Sequence, residues 1–206
     1  MPRQNRVTPF GDIVAVPARG TLMGNRGCLH DVEGRIQRPM RLKAWIYCLL
    51  EFKGRQRQVM SPGKYTELFF LDEATALAAG HRPCFECQRA RYTEFMRCWG
   101  EANAELLGGE KLRARVVDEV LHRERFGPRA EKVTHRAKLG ELPAGCLVER
   151  EAEAWQVVEG GLRKWKAEGY GEKVSVADNL QVAVLTPAST VKAIAAGFVP
   201  GYAQGR

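Results

Sequence analysis

The sequence predicts an α+β fold in two parts: an α/β module over residues 1–138, then a small β-rich module with a C-terminal helix over residues 139–206. Three observations predict it. Short β-forming runs bounded by Gly and Pro occur toward both ends of the chain, and two long helix-patterned stretches lie between them. Residues 129–140 are polar, basic and poor in apolar side chains, which reads as a linker.

Taken in order, residues 12–16 and 21–23 are short apolar runs separated by Pro17 and Gly20, and predict short strands. Residues 24–31 (GNRGCLHD) form a compact loop, because Gly24, Gly27 and Asn25 tolerate positive φ. Residues 44–52 (AWIYCLLEF) are rich in β-formers. The turn at 53–55 predicts a return strand over 56–60, giving a basic hairpin. A strand over 66–71 ends at Asp72, a candidate N-cap for a short helix over 73–79 that Gly80 stops. A longer helix follows Cys87 to about residue 107. Another covers 111–126, where Leu112, Val116, Val120 and Leu121 form an apolar stripe and Gly127-Pro128 ends it. In the second module, runs at 146–149, 155–158, 162–165 and 180–185 predict strands, with a hairpin turn at 159–161. Pro187 suits the first position of a last helix ending at Gly197.

The chain has 206 residues, enough for one generous core or two small ones, and is 45% hydrophobic, 27% charged and 8% aromatic. Those values exclude a disordered chain. No stretch approaches the ~20 apolar residues needed to cross a bilayer, which argues against a membrane partner. The first residues lack the pattern of a signal peptide, so a cytoplasmic location is the expectation.

Charge is distributed unevenly. Residues 1–138 hold 25 Lys/Arg against 16 Asp/Glu, whereas residues 139–206 hold 7 against 8. The excess is densest at Arg35, Arg38, Arg41, Lys43, Lys53, Arg55 and Arg57, opposed within that span only by Glu51. A clustered positive field predicts a polyanionic partner, most simply nucleic acid and DNA first, although a solubilising basic face has the same composition. Trp45, Tyr47, Phe52, Tyr65, Phe69 and Phe70 interleave with this cluster. They serve either to stack on unpaired bases or as core of the small sheet, and for Phe69 and Phe70 the core reading is preferred.

Six cysteines in 206 residues are too few for a disulfide scaffold, and two of them form Cys84-x-x-Cys87. No thioredoxin-like strand precedes the pair, so metal chemistry is preferred to redox. Two thiolates three residues apart at a turn meet one zinc ion without strain, Pro83 stiffens the entry, and the following helix start turns N–H groups toward them. Zinc needs two further ligands. Cys28 and His30, in a loop able to wrap an ion, are the first choice. Cys48 is the alternative, although in a strand it equally suits a small buried side chain, and another residue such as His81 is also open.

The stretch LFFLDEATALAAGHRPCFECQ, within residues 67–88, resembles the second half of the metal-binding domain of the Ada DNA-repair protein, and the chain as a whole resembles bacterial proteins that carry this segment. The resemblance is gap-free but covers about a tenth of the chain. It implies a zinc-bearing module with Cys84 and Cys87 as ligands. In Ada the other two ligands lie in an upstream Cys-Arg-Pro-x-Cys motif, whose first cysteine accepts a methyl group from DNA. This sequence has no such motif, so a structural zinc in a nucleic-acid-binding protein of DNA repair or processing is the leading expectation.

Two other classes stand beside it. One is an enzyme acting on nucleic acid: a thiolate methyl acceptor, or a phosphodiesterase. For the latter, Asp118, His122 and Arg125 share a helix face in a spacing that suits a general base, and His30 with Asn25, Arg26 and Asp31 has the residue types of a nuclease loop. The same spacing at Asp118 and His122 is commonly a solvated surface pair. The other class is a zinc-stabilised module that binds a protein partner through residues 139–206.

Overall fold

The computed structural model describes residues 1–56 and 58–203. Strands β1 (Arg6–Val7), β2 (Ile13–Val14), β3 (Leu22–Asn25), β4 (Ile46–Leu49) and β5 (Leu68–Phe70) precede helix α1 (Glu73–Ala78) and strand β6 (Arg82–Pro83). Helices α2 (Arg89–Ala102) and α3 (Ala114–Arg125) follow. Strands β7 (His135–Lys138), β8 (Leu147–Arg150), β9 (Glu153–Val158), β10 (Gly161–Lys166), β11 (Gly169–Val174) and β12 (Gln181–Val184) come next, and helix α4 (Ala188–Ala195) closes the chain. No helix among the described residues is long and apolar enough to cross a membrane.

The strands form two six-stranded sheets. The first is mixed, in the order β2-β1-β5-β3-β4-β6, with β1 parallel to β5 and β4 parallel to β6. The second is antiparallel throughout, in the order β11-β10-β9-β8-β12-β7. Its edge strand β7 begins at His135, so part of the expected linker already belongs to this sheet.

Local signals act as their chemistry dictates. The Asp72 carboxylate accepts from Thr75 N at 2.8 Å and starts α1, and Gly80 at φ +85° follows its end. The β9–β10 hairpin turns at Glu159 and Gly160, and α4 follows Pro187. The predicted return strand at 56–60 does not form among the described residues. Lys53 in the turn before that segment and Met60 at its end both take positive φ. Strand β4 pairs with β3 and β6 instead. The predicted helix at 111–126 starts at Ala114, leaving Leu112 outside it, and the one toward 107 ends at Ala102 with a 3₁₀ turn over Ala104–Leu107.

A single core cluster draws on both sheets, joining Phe70, Phe95, Trp99 and Leu121 with Val148, Leu162, Val182 and Phe198. Gly24 lets β3 pass close to that core, since a Cβ there would fall 2.2 Å from the Phe70 ring.

Candidate metal centre

Strand β4 alternates in burial, with Tyr47 fully buried and its neighbours Ile46 and Cys48 turned to the other face. Parallel pairing with β6 sets Tyr47 beside Pro83, and Cys84 N donates to Tyr47 O at 2.9 Å. Cys84 therefore leaves the sheet next to Cys48. The turn that follows is closed by Gln88 N donating to Cys84 O at 3.1 Å, which folds Cys87 back toward both. The sulfurs of Cys48, Cys84 and Cys87 all lie within 4.8 Å of one another. Thiolates on a tetrahedral zinc stand about 3.8 Å apart, so only a small contraction closes the three around an ion.

The electrostatics suit a cation. The Cys48 thiol and the backbone N–H groups of Cys87 and Glu86 point at the Cys84 sulfur and pull its pKa down to about 5, against the opposing effect of burial. Cys48 is pushed up, first by its hydrogen bond to Cys84 and then by burial, and Cys87 is pushed up by burial and by Cys84. The cluster holds one negative charge comfortably and resists three. A metal ion is what lets all three sulfurs ionise together. The donor set, three soft sulfurs with N–H donors behind one of them, fits a borderline-soft divalent ion.

Of the residues singled out from sequence, the structure brings Cys48, Cys84 and Cys87 together and leaves Cys28 and His30 elsewhere. The expected set Cys84, Cys87, Cys28 and His30 is thus not gathered at one point. His30 is buried, with Nδ1 2.6 Å from Thr66 Oγ1 and Nε2 3.2 Å from Ser61 O, and the Cys28 thiol faces its own loop at His30 O. The reason is pairing: His30 bridges to Ile36 and is held toward Thr66, which closes the 24–31 loop on itself. His81 is fully buried and accepts from Arg26 Nε at 3.3 Å.

On α3 the Asp118 carboxylate does not meet His122. Both its oxygens accept from Arg82, at 2.8 Å each, in a buried bidentate pair that ties α3 to the strand entering the cysteine turn. His122 is held below its ordinary pKa by burial and by Arg125 and Lys43. Among the basic residues, Arg35 pairs with Asp31 and Glu33, Lys43 with Glu119, and Arg55 with Glu86. Arg38, Arg41 and Lys53 are exposed, Lys53 lying over the Phe52 ring, and Arg57 lies outside the described residues. Trp45, Tyr47 and Phe70 are core; Phe52, Tyr65 and Phe69 line a cavity.

That cavity, of about 690 Å³, opens beside the three sulfurs. Its floor is the exposed-side face of the first sheet. The register sets Met23 between Phe69 and Cys48, with Asn25 and Ile46 in the next row. Glu67 also lines it and was not singled out as a functional residue from sequence. Comparison with family models, with curated proteins and with solved structures finds no match. What defines the protein is therefore its own geometry: a mixed α/β chain with a three-cysteine centre, able to bind a metal ion, on the wall of a cavity.

Proposed function

We propose that this is a zinc protein that binds nucleic acid, with Cys48, Cys84 and Cys87 holding the ion. The convergence of three sulfurs within 4.8 Å carries the reading. Thiolate-rich sites select zinc among the common divalent ions, and zinc here would lock β4, β6 and the start of α2 together. The likeness to Ada's metal-binding domain supports it. If Cys48 stands for the first cysteine of Ada's upstream motif, the second falls four residues on, at Phe52. That substitution accounts for three ligands rather than four.

The nucleic-acid half of the reading rests on the exposed Arg38, Arg41 and Lys53, together with Arg35, Lys43 and Arg55. The last three carry solvent-exposed ion pairs that contribute little in water and that phosphates can replace.

Metal content per chain is the test. The wild type should carry one zinc, Cys48→Ser, Cys84→Ser and Cys87→Ser should lose it, and Cys28→Ser and His30→Ala should keep it. Full zinc in Cys48→Ser would sink the ligand set. On the same preparations, salt-dependent retention by DNA or RNA should weaken when Arg38 and Arg41 are reversed to Glu with zinc unchanged. No retention at low salt would remove the nucleic-acid reading alone.

A further inference from the structure

Three protein ligands leave one tetrahedral position for something else, the arrangement of zinc sites that take a water or a substrate rather than of closed structural ones. Among the described residues no further Cys, His, Asp or Glu joins the three sulfurs. What lies beside them is the cavity. Cys48, Cys84 and Cys87 share its wall with the apolar and aromatic Met23, Leu49, Phe52, Val59 and Phe69 and with the Arg55–Glu86 ion pair.

Asn25 and Glu67 also line it, one row along the strands from Met23 and Phe69. Continuing the register Met23 to Phe69 and Gly24 to Leu68 sets these two side by side. Glu67 is only 3% exposed, and its Oε2 accepts from Met60 N at 2.7 Å. Its other oxygen takes neither a hydrogen bond nor a cation among the described residues. Asn25 spends its Oδ1 on Gly27 N at 2.7 Å, which leaves its amide N–H₂ as a donor. A carboxylate oxygen with no hydrogen bond among the described residues and an amide donor therefore share this cavity, whose wall is largely apolar apart from them and Glu51, Arg55, Gln56 and Glu86. Both groups are free to bond a ligand that enters the cavity. Glu67 and Cys48 are two strands and one row apart, a Cα separation of about 12 Å, which spans a single planar ring system plus its contacts.

Charge narrows the ligand further. Three thiolates on a divalent ion carry a net negative charge, Glu67 adds another, and Arg55 on the same wall is paired with Glu86, so the interior repels phosphate. It accepts a neutral or cationic group that donates hydrogen bonds. We propose, resting on the metal reading above, that the cavity is the seat of an amino-bearing nucleobase. A ring nitrogen turns to the metal's open position, the ring lies against Phe69 and Phe52, and the exocyclic amino group donates to Glu67 while Asn25 donates to a neighbouring ring acceptor. Phosphates stay toward solvent, near the half-exposed Arg55. An unstacked base of a single strand and a free nucleoside offer the same chemistry.

Cobalt(II)-substituted protein tests this, because its visible bands report the fourth ligand. Adenosine and cytidine should shift the bands and bind saturably, and uridine, which lacks the amino group, should not. Glu67→Gln, which keeps the shape and the acceptor for Met60 N–H, should take up cobalt normally yet bind adenosine and cytidine about tenfold or more weakly. A single-stranded oligonucleotide binding much tighter than the nucleoside assigns the source as nucleic acid; equal affinity assigns it as the free nucleoside. Normal cobalt uptake with bands unmoved by saturating nucleoside, or binding indifferent to Glu67→Gln, overturns the inference and leaves the metal reading standing. No cobalt uptake by wild-type protein removes both.

Discussion

Trp45 sits between two guanidinium groups, those of Arg26 and Arg125, each 4.0 Å from its ring. Both arginines are fully buried, and neither has a carboxylate partner among the described residues; they donate instead to Gly11 O and His81 Nε2 from Arg26, and to Gly80 O and Lys43 O from Arg125. Stacking on an indole is one of the few ways to hold a desolvated guanidinium. His81 packs against the same indole and pays no charge of its own: burial first, then Arg26 and Arg125, hold its pKa well below the ordinary value. Lys132 is likewise lowered to about 7, chiefly by burial. The sign follows directly. Below about pH 6.5 the unfolded chain takes up a proton at His81 that the folded chain refuses, so stability falls as pH drops through that value. Between about 7 and the ordinary lysine range the unfolded chain likewise holds more proton at Lys132, so stability still rises with pH. Unfolding free energy measured from pH 8 to pH 5 should therefore decline, with His81 contributing up to about 1.4 kcal/mol per pH unit below 6.5. His81→Gln should lose stability at every pH but show a flatter curve below 6.5; parallel curves would show that His81 titrates normally.

At the scale of elements, α1 is six residues long and completely buried, too short to persist by its own hydrogen bonds. Asp72 holds it in place. One carboxylate oxygen caps the helix through Thr75 N and Thr75 Oγ1, and the other accepts from Tyr170 of β11 at 2.8 Å and from Ala203 N at 2.9 Å. Losing an ordinary cap costs about 1 kcal/mol, but here a Tyr hydroxyl and a backbone N–H are stranded as well. Asp72→Ala should cost about 3 kcal/mol or more in denaturant unfolding, and a loss of 1 kcal/mol or less would show that the contacts to Tyr170 and Ala203 add nothing. The cap and the stop at Gly80 were legible because they are chemistry between near neighbours. The third sulfur was not: Cys48 meets Cys84 only because β4 runs parallel to β6, a pairing 36 residues apart that no local pattern encodes. Cys48 alternates with buried Tyr47, and in isolation that pattern also fits a core cysteine. Among the described residues the strand expected at 56–60 is absent for the same reason, since β4 found its partners far away in sequence.

At the scale of the molecule, the charge asymmetry and the packing divide the chain differently. The basic excess belongs to residues 1–138, yet the surfaces of the two sheets and their helices close on each other. Phe95 of α2 meets Phe198 edge-on at 5.3 Å, and Asn103 at the end of α2 donates to Ser189 O of α4 at 3.0 Å. Glu124 of α3 accepts from Ser189 N and Oγ, and Trp165 of β10 donates to Thr75 of α1. Buried groups that depend on the other half for their hydrogen bonds make separate melting costly, since either half alone would expose both the apolar face and the stranded partners. The protein should therefore unfold in one cooperative step. At about 0.7 kcal/mol per residue, 206 residues correspond to a calorimetric enthalpy of about 140 kcal/mol near 60 °C, and one step requires a van't Hoff enthalpy of the same size. Independent modules of 138 and 68 residues would instead give two transitions, with van't Hoff values of about 100 and 50 kcal/mol. Scanning calorimetry separates the two outcomes. Tryptophan emission from Trp45 and Trp99 on one side and Trp155 and Trp165 on the other, read in single-tryptophan variants, should trace the same midpoint.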